Sequence, residues 1–167
     1  MKDTKKLLYL SFCIGIALVI YFIEAQIPVL FPGIKLGLAN SVSLFVLMYF
    51  GWKEALVVMI IRTFLGSVFG GNIFAFLFSI LGGLFSNIST IIALKYFKEE
   101  VSIEWLSVFG AVFHNIGQLL VAAFIIRDFR IYFYFPILTL SAVATGYFTG
   151  TVTKNLYSRL NKTRLPF

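Results

Sequence analysis

Long apolar runs broken by short polar segments dominate the pattern of this chain. Placing boundaries at the charged, Gly and Pro positions predicts six helices, at about residues 6–24, 36–52, 54–69, 73–96, 105–126 and 132–156. Four of these runs are long enough for ~30 Å of hydrocarbon, and the second and third are shorter, so these two are expected to be broken or sunk in protein. No internal repeat or low-complexity linker interrupts the series, and residues 1–167 read as a single integral membrane domain. The stretch Pro32 to Ser43 stands out. It leaves a proline-broken segment, carries Lys35 at its threshold and places Asn40, Ser41 and Ser43 in the first turns of an apolar helix. A membrane helix that opens this way borders a polar cavity rather than lipid.

Composition strengthens the membrane reading. Hydrophobic residues make up 60% of the chain and charged residues 13%, with a mean hydropathy of +0.95. An average soluble domain has about a quarter of its residues charged. The net charge of +7 would fit a nucleic-acid partner if the cations were clustered, but they lie mainly at helix ends. No nucleic-acid role is therefore expected. Ten of the fourteen Lys and Arg residues fall on the side of the two termini, three on the opposite side, and Arg62 inside a helix. The bias places both termini in the cytoplasm. Lys2, Lys5 and Lys6 before an apolar run resemble a signal peptide. Glu24-Ala25-Gln26 is a poor cleavage site, so the segment is kept as the first span. Cys13 is a lone thiol in an apolar run, expected to act as a small packing residue.

Polar residues within the helices are the candidate chemistry. Glu24 closes the first helix, Lys35 and Asn40 open the second, Arg62 is central in the third, and His114, Asn115 and Gln118 share the fifth. In the predicted topology they reach compatible depths, and a shared outward cavity is the economical reading. Each has an alternative: an ion pair of Arg62 with Glu24, or hydrogen bonds from His114, Asn115 and Gln118 to neighbouring helices. Ser86, Asn87 and Ser89 are expected to be packing residues, and Glu54, Glu99, Glu100 and Glu104 solvated loop charges. Gly82, Gly83, Gly110, Gly117, Gly146 and Gly150 suit close helix approach. Tyr132 and Tyr134 suit an interfacial belt. The loop with Pro28, Gly33 and Pro32 is placed to cover the cavity. Glu24, Lys35 and Arg62 sum to about +1, which fits a small anionic or zwitterionic molecule with an apolar or aromatic part.

Several activities are argued against. The chain has two aspartates, Asp3 and Asp128, far apart, whereas prenyl-diphosphate synthases hold Mg²⁺ with aspartate clusters. It lacks a phosphate-cradling Gly-Lys-Ser or Gly-Lys-Thr loop and a Ser–His–Asp or Cys–His set. His114 has no second metal ligand facing it. The chain is therefore expected not to be an enzyme and to need no cofactor or metal.

Glu24, Gly33-Ile-Lys35-Leu-Gly-Leu-Ala-Asn40, Lys53-Glu54-Ala55, Arg62 with Leu65-Gly66, and His114-Asn115-Ile-Gly117-Gln118 together resemble one family. It is the Gx transporter family, also labelled heptaprenyl diphosphate synthase component I. The opening of the second helix also resembles the substrate-binding S components of energy-coupling factor (ECF) transporters. That resemblance implies an all-α bundle of six transmembrane helices in a bacterial plasma membrane. It implies an S component that captures a vitamin-like, quinone-precursor or isoprenoid compound. Its implied partners are membrane lipid, an ECF transmembrane coupling protein and cytoplasmic ATPase subunits. The S-component pattern of small residues four apart on the first helix falls on Ser11 and Gly15, which implies docking there. The alternative implied by the family's other label is a non-catalytic membrane subunit of heptaprenyl diphosphate or quinone synthesis.

Overall fold

A computed structural model describes residues 2–26, 37–71, 73–97 and 100–162. It contains six α-helices: α1 Lys2–Gln26, α2 Leu38–Tyr49, α3 Trp52–Gly70, α4 Ile73–Phe97, α5 Ile103–Ile126 and α6 Phe135–Lys162. A 3-10 turn, Phe129–Tyr134, leads into α6, and no strand occurs among the described residues. The helices match the six apolar runs, so the chain is an all-α protein. Four segments are long and apolar enough to cross a membrane: Thr4–Gln26, Ile73–Phe97, Ile103–Ile126 and Phe129–Leu160. The remaining two differ for separate reasons. Helix α2 has 12 residues, about 18 Å, too short for the hydrocarbon core. Helix α3 has 19 residues but carries Lys53, Glu54 and Arg62.

The short helix is held inside the bundle. Leu44, Phe45, Val46 and Leu47 of α2 form the core with Leu10 of α1, Ala55 and Val58 of α3, Ala93 of α4 and Leu106 of α5. The long helices turn large apolar side chains outward instead, including Leu8, Phe12, Val19 and Ile23 on α1 and Phe124 on α5. Such surfaces are at rest against lipid, where they cost nothing to leave unpacked by protein.

Helices α4, α5 and α6 pack through small residues. A Cβ built on Gly117 would lie 2.8 Å from the Leu81 carbonyl oxygen, and one on Gly110 2.8 Å from Thr90 Cγ2. Across α5 and α6, a Cβ on Gly146 would lie 2.8 Å from the Val108 Cα and one on Gly150 2.6 Å from the Glu104 Cα. Only hydrogen fits at such contacts.

Two expected loop charges are structural. Glu104 is 8% exposed, lies in the first turn of α5 and accepts from Lys154 of α6 at 2.6 Å. Glu54, in the first turn of α3, accepts from Lys6 of α1 at 2.5 Å. A carboxylate at a helix N-terminus is favoured by the helix dipole, which draws both acids out of the loops. At the other hairpin, Tyr132, Phe133 and Tyr134 are exposed on the 3-10 turn. Asp128 starts that turn by accepting the Arg130 backbone N–H at 2.9 Å. Hydrogen bonds from the Arg130 side chain hold the Asp128 carboxyl below the usual carboxylate range.

Candidate functional site

A cavity of about 90 Å³ lies among all six helices. By the same measure a cavity needs ~10–15 Å³ to hold one water, so this one exceeds that threshold several times over. Glu24, Asn40, Arg62, His114, Asn115 and Gln118 all line it. The six candidates come from four helices, α1, α2, α3 and α5, and meet in one place. Lys35 and the loop proposed as a cover lie outside the described residues. Ser11 and Gly15 lie on the exposed side of α1, and neither lines the cavity.

Glu24 explains how α2 starts. Gly37 precedes the helix at φ 69°, a left-handed conformation that glycine adopts freely, and offers no side chain to cap it. The Glu24 carboxylate reaches across from α1 and accepts Leu38 N–H at 3.0 Å and Ala39 N–H at 3.3 Å. A buried carboxylate is thus satisfied by two orphan donors and a helix dipole. The alternative of an ion pair with Arg62 is not realised in contact: among the described residues no carboxylate is salt-bridged to Arg62.

Arg62 is 7% exposed and is held by neutral groups. Its Nε donates to Ser43 Oγ at 3.3 Å, and one terminal nitrogen donates to Asn40 Oδ1 at 2.6 Å. A guanidinium has five N–H donors, so further donors remain. Asn40 and Ser43 sit one turn apart on α2, which is why the helix needs those polar residues near its start. The planar fork is thereby fixed at the cavity wall.

On the facing helices, His114 rests its ring on Gly82: a Cβ there would lie 2.8 Å from the ring. Asn115 donates from Nδ2 to the Leu138 carbonyl at 2.9 Å, so part of its amide ties α5 to α6. Gln118 completes that group. Tyr21 of α1 also lines the cavity and packs where a Cβ on Gly66 would stand, 3.3 Å from its ring.

Ser86 and Asn87 belong to this cavity wall rather than to packing alone, with Ser79, Thr90, Ser107, Ser141, Thr145 and Thr149. The sequence does carry a trace of this wall. Ser141, Thr145, Thr149 and Thr153 recur every four residues on α6, one face of a helix. No group of three or more His, Cys, Asp or Glu residues able to hold a metal occurs among the described residues.

The profile of one family, heptaprenyl diphosphate synthase component I, matches residues 13–156. The chain belongs to this family. The match runs from the first helix into the last, and it includes every cavity residue named above. No curated protein and no solved structure matches the chain.

Proposed function

We propose that this component I protein is the substrate-capture (S) subunit of an ECF-type importer, binding a small anionic or zwitterionic molecule in the cavity. The observation that carries the reading is Arg62. It is a buried cation at a cavity wall whose described partners, Asn40 and Ser43, are neutral. A buried charge is costly unless paired, and a ligand carboxylate or phosphate supplies a counter-charge in direct contact, which no described carboxylate does. Glu24 attracts Arg62 without touching it, because its carboxylate is engaged with the start of α2. In this reading the protein lies in a bacterial plasma membrane with both termini cytoplasmic, as the Lys and Arg distribution favours. A coupling protein and ATPase subunits drive transport, and the chain itself performs no catalytic step.

Arg62→Ala is expected to weaken ligand binding at least about tenfold, the scale of a charged hydrogen bond. Arg62→Lys restores part of it, because the planar fork is lost. Direct binding to the purified variants checks this, and two variants that bind like the parent would make Arg62 structural.

A second reading is favoured by the family's description as a synthase component, a word that implies a partner subunit. Here the chain is a non-catalytic membrane subunit and a soluble synthase carries the metal-binding aspartates. Purification from the native membrane separates the two. Co-purifying ATPase and coupling proteins support import, and a prenyl synthase supports the second reading.

A further inference from the structure

The hydroxyl-bearing wall has a direction. Thr90 Oγ1 donates to the Ser86 and Asn87 carbonyls at 2.9 Å, and Thr145 Oγ1 donates to the Ser141 carbonyl at 2.9 Å. Thr149 Oγ1 donates to the Gly146 carbonyl at 3.1 Å, and its oxygen lies 3.0 Å from Ser107 Oγ. Asn87 uses one Nδ2 hydrogen on the Gly83 carbonyl at 2.9 Å. A hydroxyl has one proton and two lone pairs. With the Thr90, Thr145 and Thr149 protons on backbone carbonyls and the Ser107 hydroxyl on Thr149, this patch of α4, α5 and α6 presents mainly acceptors to the cavity, beside the second Nδ2 hydrogen of Asn87. It contains no ionisable side chain, and Glu104 with Lys154 does not line the cavity.

The two walls are therefore complementary to opposite ligand groups. Arg62 offers donors with a positive charge, and the patch at Asn87, Thr90, Ser107, Thr145 and Thr149 lines the same cavity with neutral acceptors. We infer that the site takes a compact zwitterion, its anionic group at Arg62 and an ammonium group at the threonine patch. An ammonium has three donors for several acceptors, where a hydroxyl has one. A net-neutral ligand also suits the lining, where Glu24 balances Arg62. A cavity of about 90 Å³ suits a small molecule rather than a heptaprenyl chain. The patch is walled by Asn, Ser, Thr, Gly and Ala, and Leu44 is the one large aliphatic side chain on the described cavity lining against which a prenyl group could bury. This inference rests on the capture reading and narrows its substrate.

The test uses the purified full-length protein in detergent and matched probes that differ only in the amino group: γ-aminobutyrate against butyrate, and ε-aminocaproate against caproate. Geranyl diphosphate is the isoprenoid control. Thermal shift titration is expected to give at least one amino acid about tenfold tighter than its partner, the scale of one charged hydrogen bond. Thr90→Val should remove most of that difference and Thr90→Ser should keep it, while Arg62→Lys weakens amino acid and carboxylate alike. Equal binding of each matched pair, or a difference untouched by Thr90→Val, overturns the zwitterion. If the carboxylates still bind through Arg62 in that case, the capture reading stands without it. Tighter binding of geranyl diphosphate overturns the inference in favour of the prenyl reading. A panel with no binding at all overturns both the class and the size assigned here.

Discussion

Two pairs of small residues four apart, Ser11 with Gly15 on α1 and Gly146 with Gly150 on α6, have the same spacing and opposite surroundings. A Cβ on Gly150 would run into the α5 backbone at 2.6 Å, whereas one on Gly15 meets nothing within 4 Å. Ser11 and Gly15 lie on an exposed face between Phe12 and Ile16, which are themselves exposed. One pair closes a seam inside the bundle, and the other leaves a flat strip on its outside. In lipid, helices associate by close packing rather than by a hydrophobic push, so small residues are informative only with respect to a neighbour. The α6 pair has its neighbour within the chain. The α1 pair has none among the described residues.

The largest expected effect on the fold is at Gly150. Gly150→Leu forces α5 and α6 apart at a backbone-to-backbone contact that no side-chain rotation relieves, and Glu104 beside it is paired to Lys154 across the same seam. A loss of about 3 kcal/mol, the upper end for overpacking, is expected. The midpoint of SDS-induced unfolding, followed by helicity, measures it. A parent-like midpoint would mean that the seam is looser than its geometry. Gly146→Ala is milder, because a single methyl meets Val108 Cα at 2.8 Å and the Ala111 methyl at 3.1 Å. About 1–2 kcal/mol is expected in the same assay. If Gly146→Ala costs more than Gly150→Leu, the tightest point of the seam lies nearer the cavity than the distances say.

The same contrast explains what was legible in the sequence. The helices were, because apolar length and polar breaks are local properties, and each predicted helix matches one in the structure. The depth of α2 was only half legible: its shortness was visible, but its burial depends mainly on the α1, α3 and α6 residues it meets. The meeting of Glu24, Asn40, Arg62, His114, Asn115 and Gln118 was legible because buried polar groups are costly in lipid and need one another or a cavity. Glu24 as the cap of α2 was not, since the partnership spans the segment from Gln26 to Gly37. The threonine wall was hidden for a different reason. A Ser or Thr that bonds its own helix carbonyl is at ease anywhere on a membrane helix. Only when Thr90, Ser107 and Thr149 of three helices come together does each acquire a role beyond its own turn.

The smallest expected effect on the fold is at Gly15, and there the comparison is most useful. Gly15→Trp adds a large side chain where the structure has open space, so the unfolding midpoint and the binding of a small ligand should stay close to the parent. The cavity is lined on α1 by Tyr21 and Glu24, at least one and a half turns away, and Gly15 does not touch it. If α1 docks on a coupling subunit through Ser11 and Gly15, the indole prevents the helices from approaching and one large residue abolishes the complex. Co-purification with the partner and uptake should then be lost together while affinity is retained. The three measurements belong on one preparation, because each alternative moves a different one. Gly15 facing only lipid predicts that partner recovery, uptake and affinity are all unchanged. A fall in affinity with the complex intact would instead connect this face of α1 to the cavity, and the α1 strip would then act on the site rather than on a partner.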